Sequence, residues 1–293
     1  MVLQLRILSP NHLKKGLLIL LLLLSAPILS IGGQVKTIEL GKDLAVTEIE
    51  EGVYLVVDWI PFGQSRVPCN SLLVAIEPNT VIWCDTTYEP YSTNIVYEWI
   101  QKTFKEPNLI EINTGFHADN LGGNEFLLSK GVPVYGSDVT AGIIRDKGRE
   151  EKEKIVKSFT ESDNTPFHQA CRQMTFKPPD HTFEIEKGMT FKIGEETVEV
   201  YYPGPSHTID NTVVYFQKRK VLFGGCMVKS LDAKDAGFTS DADMRQWPRS
   251  VEKLLSKYPD AKIVVPGHGA CGDMKLVIHT VELLDGINKK TGK

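Results

Sequence analysis

Five side chains in this sequence have the types and settings that metal chemistry needs. His117 and Asp119 stand two residues apart in "NTGFHADNLGG", His207 lies in "GPSHTID", Cys226 in "LFGGCMVK" and His268 in "PGHG". Zinc favours thiolate, imidazole and carboxylate, and a catalytic zinc uses three protein ligands while keeping a position for water. Asp119, Cys226 and His268 supply one ligand of each kind. Their formal charges neutralise Zn²⁺, so a bound water would be less acidic than in an all-histidine site. His117 and His207 then remain for a neighbouring position. A lone His-x-Asp or "PGHG" is weak evidence, because such residues are common in loops. The signal lies in the set, each member placed in a glycine-rich loop. His12, in the leader, and His168, His181 and His279 lack that setting and read as leader, surface or packing residues.

The elements that would carry these groups alternate between strand and helix. "GVYLVVDW" and "SLLVAIEPNTVIWCDTT" read as strands, the second a hairpin around Pro78-Asn79, and "STNIVYEWIQKTF" has helical spacing. "NLIEIN" and "VPVYGS" read as strands on either side of a short helix, "GNEFLLSKG". The charged stretch "RDKGREEKEKIVKS" reads as a solvated helix face. Two hairpins follow, "MTFKIGEETVEVYYP" and "NTVVYFQKRKVLFGG". A helix across "DMRQWPRSVEKLLSKY", the strand "KIVVPG" and a helix through "MKLVIHTVELLDGI" complete the chain. His117, His207, Cys226 and His268 each follow the end of a strand, so their loops are expected to converge on one edge of a layered α/β fold.

The chain has 293 residues, 42% hydrophobic and 24% charged, enough for a substantial core. A formal net charge of -4 offers no general attraction for phosphate backbones, which argues against a nucleic-acid partner. Arg6, Lys14 and Lys15 precede "GLLILLLLLSAPILS", which reads as a secretory signal over residues 1–33, leaving 34–293 as one domain. The apolar run falls short of the ~20 residues that span a bilayer comfortably. The mature chain is therefore expected to be periplasmic or secreted, free of the membrane and monomeric. Its five cysteines, Cys69, Cys84, Cys171, Cys226 and Cys271, cannot all pair. Cys226 is the candidate for a thiol occupied by something other than another thiol, whereas Cys84 reads as a buried hydrophobe.

"HADNLGGNEF", "GPSHTIDNTVVYF", "LFGGCMVKSL" and "KIVVPGHG" together resemble the metallo-β-lactamases, zinc enzymes that open β-lactam rings. The similarity runs from about Glu48 to the last helix. It implies a four-layer αβ/βα sandwich with the zinc site at the sheet edges. It places Asp119, Cys226 and His268 in a second zinc site and His117 and His207 in a first, whose third histidine is replaced by Gly115. The loss of that ligand implies one tight zinc and a second, weaker one. Asparagine occupies the position of Gly115 in the single-zinc subclass, which favours carbapenems, while the sequence around Cys226 and His268 looks more like the two-zinc subclass. Lys229 matches the lysine that pairs with the substrate carboxylate, and Asp119 or His117 is expected to activate the attacking water. Phe238 stands where many relatives have a carbonyl-polarising asparagine, and Asn120 where many have arginine. Asp85 is expected to orient a ligand without touching metal. "DWIPFGQSR", residues 58–66, reads as a connection between strands that forms a flap over substrate. The alternatives are another hydrolase of this fold, a lactonase or thioesterase, or a zinc-binding relative with little catalysis.

Overall fold

The computed structural model describes residues 36–62 and 65–292, so the expected signal segment lies outside the described residues. In chain order the elements are β1 (Lys36–Glu39), β2 (Leu44–Glu50), β3 (Val53–Phe62), β4 (Ser65–Ile76), β5 (Thr80–Cys84), α1 (Pro90–Phe104), β6 (Asn108–Ile112), α2 (Ala118–Leu121), α3 (Asn124–Ser129), β7 (Val134–Ser137), α4 (Asp138–Lys157) and α5 (Pro166–Gln173). They continue with β8 (His181–Phe183), β9 (Met189–Ile193), β10 (Glu196–Tyr201), β11 (Val213–Phe216), β12 (Val221–Gly225), α6 (Trp247–Lys257), β13 (Ile263–Pro266) and α7 (Lys275–Thr291).

Local chemistry explains most of these boundaries. Pro90 opens α1, and the Glu89 carboxylate accepts from the backbone N–H of Ser92 at 2.9 Å, so two devices satisfy the helix start at once. Helix α6 begins at Trp247, later than "DMRQWPRSVEKLLSKY" suggests, because Pro248 has no N–H and fits only the first turn. From there Trp247, Val251 and Leu254 line one buried face. Of the segment read as a connection, residues 58–62 and 65–66 are instead strand: β3 and β4 pair from Val53↔Val74 out to Phe62↔Ser65. Ladder hydrogen bonds continue past the apolar residues there, leaving Trp59 and Phe62 exposed and Ile60 buried.

β1 to β8 form one sheet in sequence order, and the second runs β13-β12-β11-β10-β9. Three apolar cores separate four layers. Trp83, Leu73 and Val81 pack with Val96 and Ile100 of α1 on the outer face of the first sheet. Leu72, Ile82 and Ile112 meet Val198, Phe216 and Phe223 between the sheets. Leu222 and Val264 of the second sheet pack against Trp247 and Val251 of α6 and Leu276 and Leu284 of α7. This is the four-layer arrangement that the sequence resemblance implied.

Strand direction sets the functional edge. β12 and β13 are parallel, and β10 runs with them because β10 and β12 both pair antiparallel with β11. β5 and β6 are parallel in the other sheet. The loops after β6, β10, β12 and β13 can therefore meet at one end, and β4 is stitched to that end directly. The Asn70 N–H donates to Gly267 O at 2.8 Å, and its side chain donates to Pro266 O at 2.9 Å and Gly269 O at 2.7 Å.

Buried Asp58 on β3 gives this fold a titratable weak point. Burial, then the charge of Glu89, raises its carboxyl from 3.8 to about 7, with a weak opposing hydrogen bond from the Tyr88 N–H. A raised acid binds its proton more tightly when folded, so its contribution is fully present below pH 4 and is lost as pH rises towards 7. Asp58→Asn should therefore match the parent protein near pH 4 and exceed it at pH 8 by roughly 2–4 kcal/mol, at ~1.4 kcal/mol per unit. Thermal unfolding of both proteins across that range checks this; equal pH dependence would show that Asp58 is ionised at no cost.

Candidate metal centre

The ligand candidates arrive as the strand directions require. Asp119 lies in the single-turn helix α2, which starts as soon as His117 turns the chain, so its carboxylate is held by helix and not by a loop as its glycine-rich surroundings suggest. Cys226 immediately follows β12, and His268 follows β13 by two residues. Gly267 lets those two loops touch: a Cβ there would lie 2.7 Å from Cys226 N, where the Gly267 N–H now donates to Gly225 O at 2.7 Å.

Asp119, Cys226 and His268 come together tightly. The Cys226 thiol lies 3.2 Å from Asp119 Oδ2 and 3.8 Å from His268 Nε2, and the latter two atoms are 3.3 Å apart. His268 Nδ1 is 2.8 Å from Pro68 O, a contact it makes as a donor, which leaves Nε2 as the lone-pair nitrogen facing the other two groups. One carboxylate, one thiol and one correctly oriented imidazole within that spacing suit the tetrahedral preferences of zinc. Burial acts to raise Asp119, but hydrogen bonding to His268, the charges of His268 and His117, and the Cys226 thiol hold it well below the usual carboxylate range. Burial pushes the Cys226 thiol up, a cost that metal binding reverses by deprotonating a coordinated thiol.

His117 and His207 form the adjoining pair, with ring centroids 5.0 Å apart and nearly perpendicular. His207 is buried, and its Nδ1 has no hydrogen-bond partner. Burial and then the charge of Lys229 hold it well below the usual histidine range, so it stays a neutral imidazole. His117 behaves oppositely: burial lowers it, but Nε2 sits 2.9 Å from Asp241 Oδ2, which raises it. With Nε2 engaged, Nδ1 is the nitrogen free for another partner.

Gly115 does not have positive φ; its neighbours, not its backbone, exclude a side chain. A Cβ there would stand 2.6 Å from Asn211 Nδ2 and 3.0 Å from Asn120 Oδ1. Neither asparagine is loose. Asn211 Oδ1 accepts from Ser206 Oγ at 3.2 Å and Thr208 N at 2.7 Å, and Asn120 Nδ2 donates to Asp85 Oδ2 at 2.7 Å. Asp85 also accepts from the Thr114 N–H and Oγ–H, each at 2.7 Å, so it holds both ends of the Gly115–Asp119 stretch without reaching the ligand cluster.

Lys229 is buried, its Nζ 5.1 Å over the Trp247 ring, and burial lowers its pKa despite the charges of Cys226, Asp119 and Asp235. Phe238 is exposed, with its ring 5.6 Å from that of His117. His168 and His279 act as packing residues: His168 is buried against Thr165, and His279 contacts Ala233 O.

Two residues in this region escaped the sequence reading. Asp241, behind His117, lies in "FTSDADM", where nothing separates it from the acidic residues of an ordinary loop. Cys69, in "VPCNS", lies inside strand β4; its Sγ, a carboxylate oxygen of Asp119 and a ring nitrogen of His268 all lie within 4.8 Å of one another. All five cysteines are free thiols.

The crowding at Gly115 generates a test. Gly115→His should lose about 1–3 kcal/mol of stability through overpacking and gain no second tight metal by itself. Combined with Asn211→Gly it should gain one. Metal titrations of both metal-free variants, followed calorimetrically, check this, and a second tight equivalent in the single variant would disprove the obstruction.

Comparison with known proteins agrees with this geometry. The metallo-beta-lactamase superfamily profile matches residues 111–268, which contain all five candidate ligands and end on His268. The chain is 30% identical over 241 residues to the metallo-beta-lactamase type 2 of Bacillus cereus, covering 82% of each protein. It is 28% identical over 259 residues to the type 2 enzyme of Bacteroides fragilis, covering 88% of this chain and 92% of that protein. Among solved structures, a metallo-beta-lactamase from Pontibacter korlensis superposes with a TM-score of 0.69 at 36% identity, covering 83% of this chain and 99% of that one. With its two-sheet fold, its convergent Asp, Cys and His donors and these similarities, the chain belongs to the metallo-β-lactamase superfamily.

Proposed function

We propose that this protein is an exported zinc-dependent β-lactamase that hydrolyses the β-lactam amide bond. The observation that carries the reading is the convergence of Asp119, Cys226 and His268 within 3.8 Å of one another beside a buried lysine. These three side chains would hold the tight zinc, and His117 with His207 a weaker second one, because Asn211 and Asn120 fill the space where a third side chain would stand. Zinc bound there supplies Lewis acidity, acidifying water and stabilising the negative charge that develops as the amide bond breaks.

The chain's own groups do the rest. Asp119 Oδ2 faces Cys226 and His268, which leaves Oδ1 to accept from the attacking water and orient it towards the lactam carbonyl. His117, anchored through Nε2 by Asp241, presents Nδ1 on the same side as an alternative acceptor for that proton. Lys229 contributes a desolvated ammonium whose near neighbour is a ring face and not a carboxylate, so a substrate carboxylate would complete its pairing. Exposed Phe238 and Trp59 add apolar rims to the opening, though Phe238 cannot donate a hydrogen bond to the lactam carbonyl. The reading includes a single mature domain over 34–293, a signal at 1–33, export to the periplasm or medium, a monomeric state and a preference for carbapenems that follows the one-tight-zinc pattern.

Metal content of the mature protein, measured beside hydrolysis of a penicillin, a cephalosporin and a carbapenem, tests the proposal. Zinc with turnover of at least one is expected, and hydrolysis of lactones or thioesters alone would replace it. Lys229→Met should keep its zinc and raise KM for a carboxylate-bearing β-lactam about tenfold to hundredfold, the equivalent of losing a charge-assisted contact of roughly 1.5–3 kcal/mol. Unchanged KM would remove the assigned role. Cys226→Ala should lose tight zinc altogether, which dialysis against a weak chelator followed by elemental analysis would reveal.

A further inference from the structure

We infer that Cys69 is a fourth ligand to the tight zinc, closing its coordination with a second thiolate. The inference rests on the metal reading of the Asp119, Cys226 and His268 cluster and deepens it. The Cys69 Sγ, an Asp119 oxygen and a His268 nitrogen form a mutually close set within 4.8 Å, while Cys226 Sγ stands 3.2 and 3.8 Å from the same two residues. Two thiols thus share Asp119 and His268 as common neighbours. Two thiolates, an imidazole and a carboxylate are donor types that closed zinc sites use.

The position of Cys69 is built and not incidental. On its N-terminal side Pro68 O accepts from His268 Nδ1 at 2.8 Å, and on its C-terminal side Asn70 bonds three backbone carbonyls of the Pro266–Gly269 loop. The strand segment bearing Cys69 is therefore clamped on both sides to the loop bearing His268. Register places Cys69 opposite Asp58 in the β3–β4 ladder, and the side chain is buried.

Coordination by Cys69 has a chemical consequence. Three anionic ligands and one neutral one leave the zinc unit with a formal charge of -1, and no position remains for water or a lactam nitrogen until one ligand leaves.

Sulfur counting tests this independently of turnover. X-ray absorption of the zinc-loaded wild type should show two sulfur ligands per tightly bound zinc. In the cobalt-substituted protein the thiolate-to-metal charge-transfer band should fall by about half in Cys69→Ser, and vanish in Cys226→Ser, which loses the tight metal, and in the double variant. Circular dichroism melts of the metal-free variants establish that each folds, and the wild-type absorption measurement stands even where one does not. One sulfur per zinc, a full band in folded Cys69→Ser, or a Cys69–Cys226 disulfide found by mass spectrometry of the loaded protein would each overturn the inference. Failure of the wild type to take up zinc or cobalt at all would instead overturn the metal reading beneath it.

Discussion

The candidate site depends on a buried carboxylate that touches none of the ligand groups. Asp85 leaves the end of β5 with φ of 60°, a left-handed conformation uncommon for aspartate, and turns its side chain into the protein. There it accepts three hydrogen bonds of 2.7 Å, two from Thr114 and one from Asn120, so it grips the chain on each side of Gly115, His117 and Asp119. Thr114 in turn accepts the Thr212 N–H at 2.9 Å, which carries the restraint to the loop of His207. Burial raises Asp85 to about 8, and those hydrogen bonds to the ionised form oppose the rise. Local backbone strain and desolvation at this one residue are offset by the order it imposes on two ligand loops from different sheets.

Around that anchor the electrostatics divide the site into two halves. Asp119 and the two thiols form a cluster with negative or potentially negative donors, while Lys229 and His207 are buried close by, and burial lowers the pKa of both. Such a division has meaning for a cation. A divalent ion would remove the penalty on the thiols and strengthen the hold on Asp119 at once, whereas a proton satisfies only one group at a time. The structural cost of the site in its metal-free form is thus the binding preference of the site, and His117 with Asp241 extends it outward to the exposed Phe238 ring.

The same economy would favour one of the two proposed metal positions over the other. The tight cluster draws on residues clamped by β12, β13 and β4, strands whose side chains are mostly buried, on one face between the sheets and on the other beneath helices. The His117 and His207 position lost a side chain at Gly115, and the volume was taken by two asparagines that bond each other's surroundings. Restoring a ligand there requires rearranging a hydrogen-bonded interior, and interiors packed to this density resist single substitutions.

By itself the sequence determined the element types, their order and the identity of five of the ligand candidates. Buried strands such as "TVIWC" and "VLFGG", hairpin turns and the glycines after them are local patterns, and a histidine or cysteine after a strand end is legible because strand ends gather at one edge. The departure at Gly115 was equally legible as a missing histidine. Only the tertiary structure decided what surrounds those residues. Pro68 meets His268 across 200 residues of chain and Asp241 meets His117 across 124, while Asn211 fills the space beside Gly115 and Lys229 packs on Trp247. It also made strand of residues 58–62 and 65–66, read as a connection, because pairing between β3 and β4 continues through them. Periodicity reports which face of an element is buried; it does not report which distant element covers that face, and every one of these contacts is a question of the second kind.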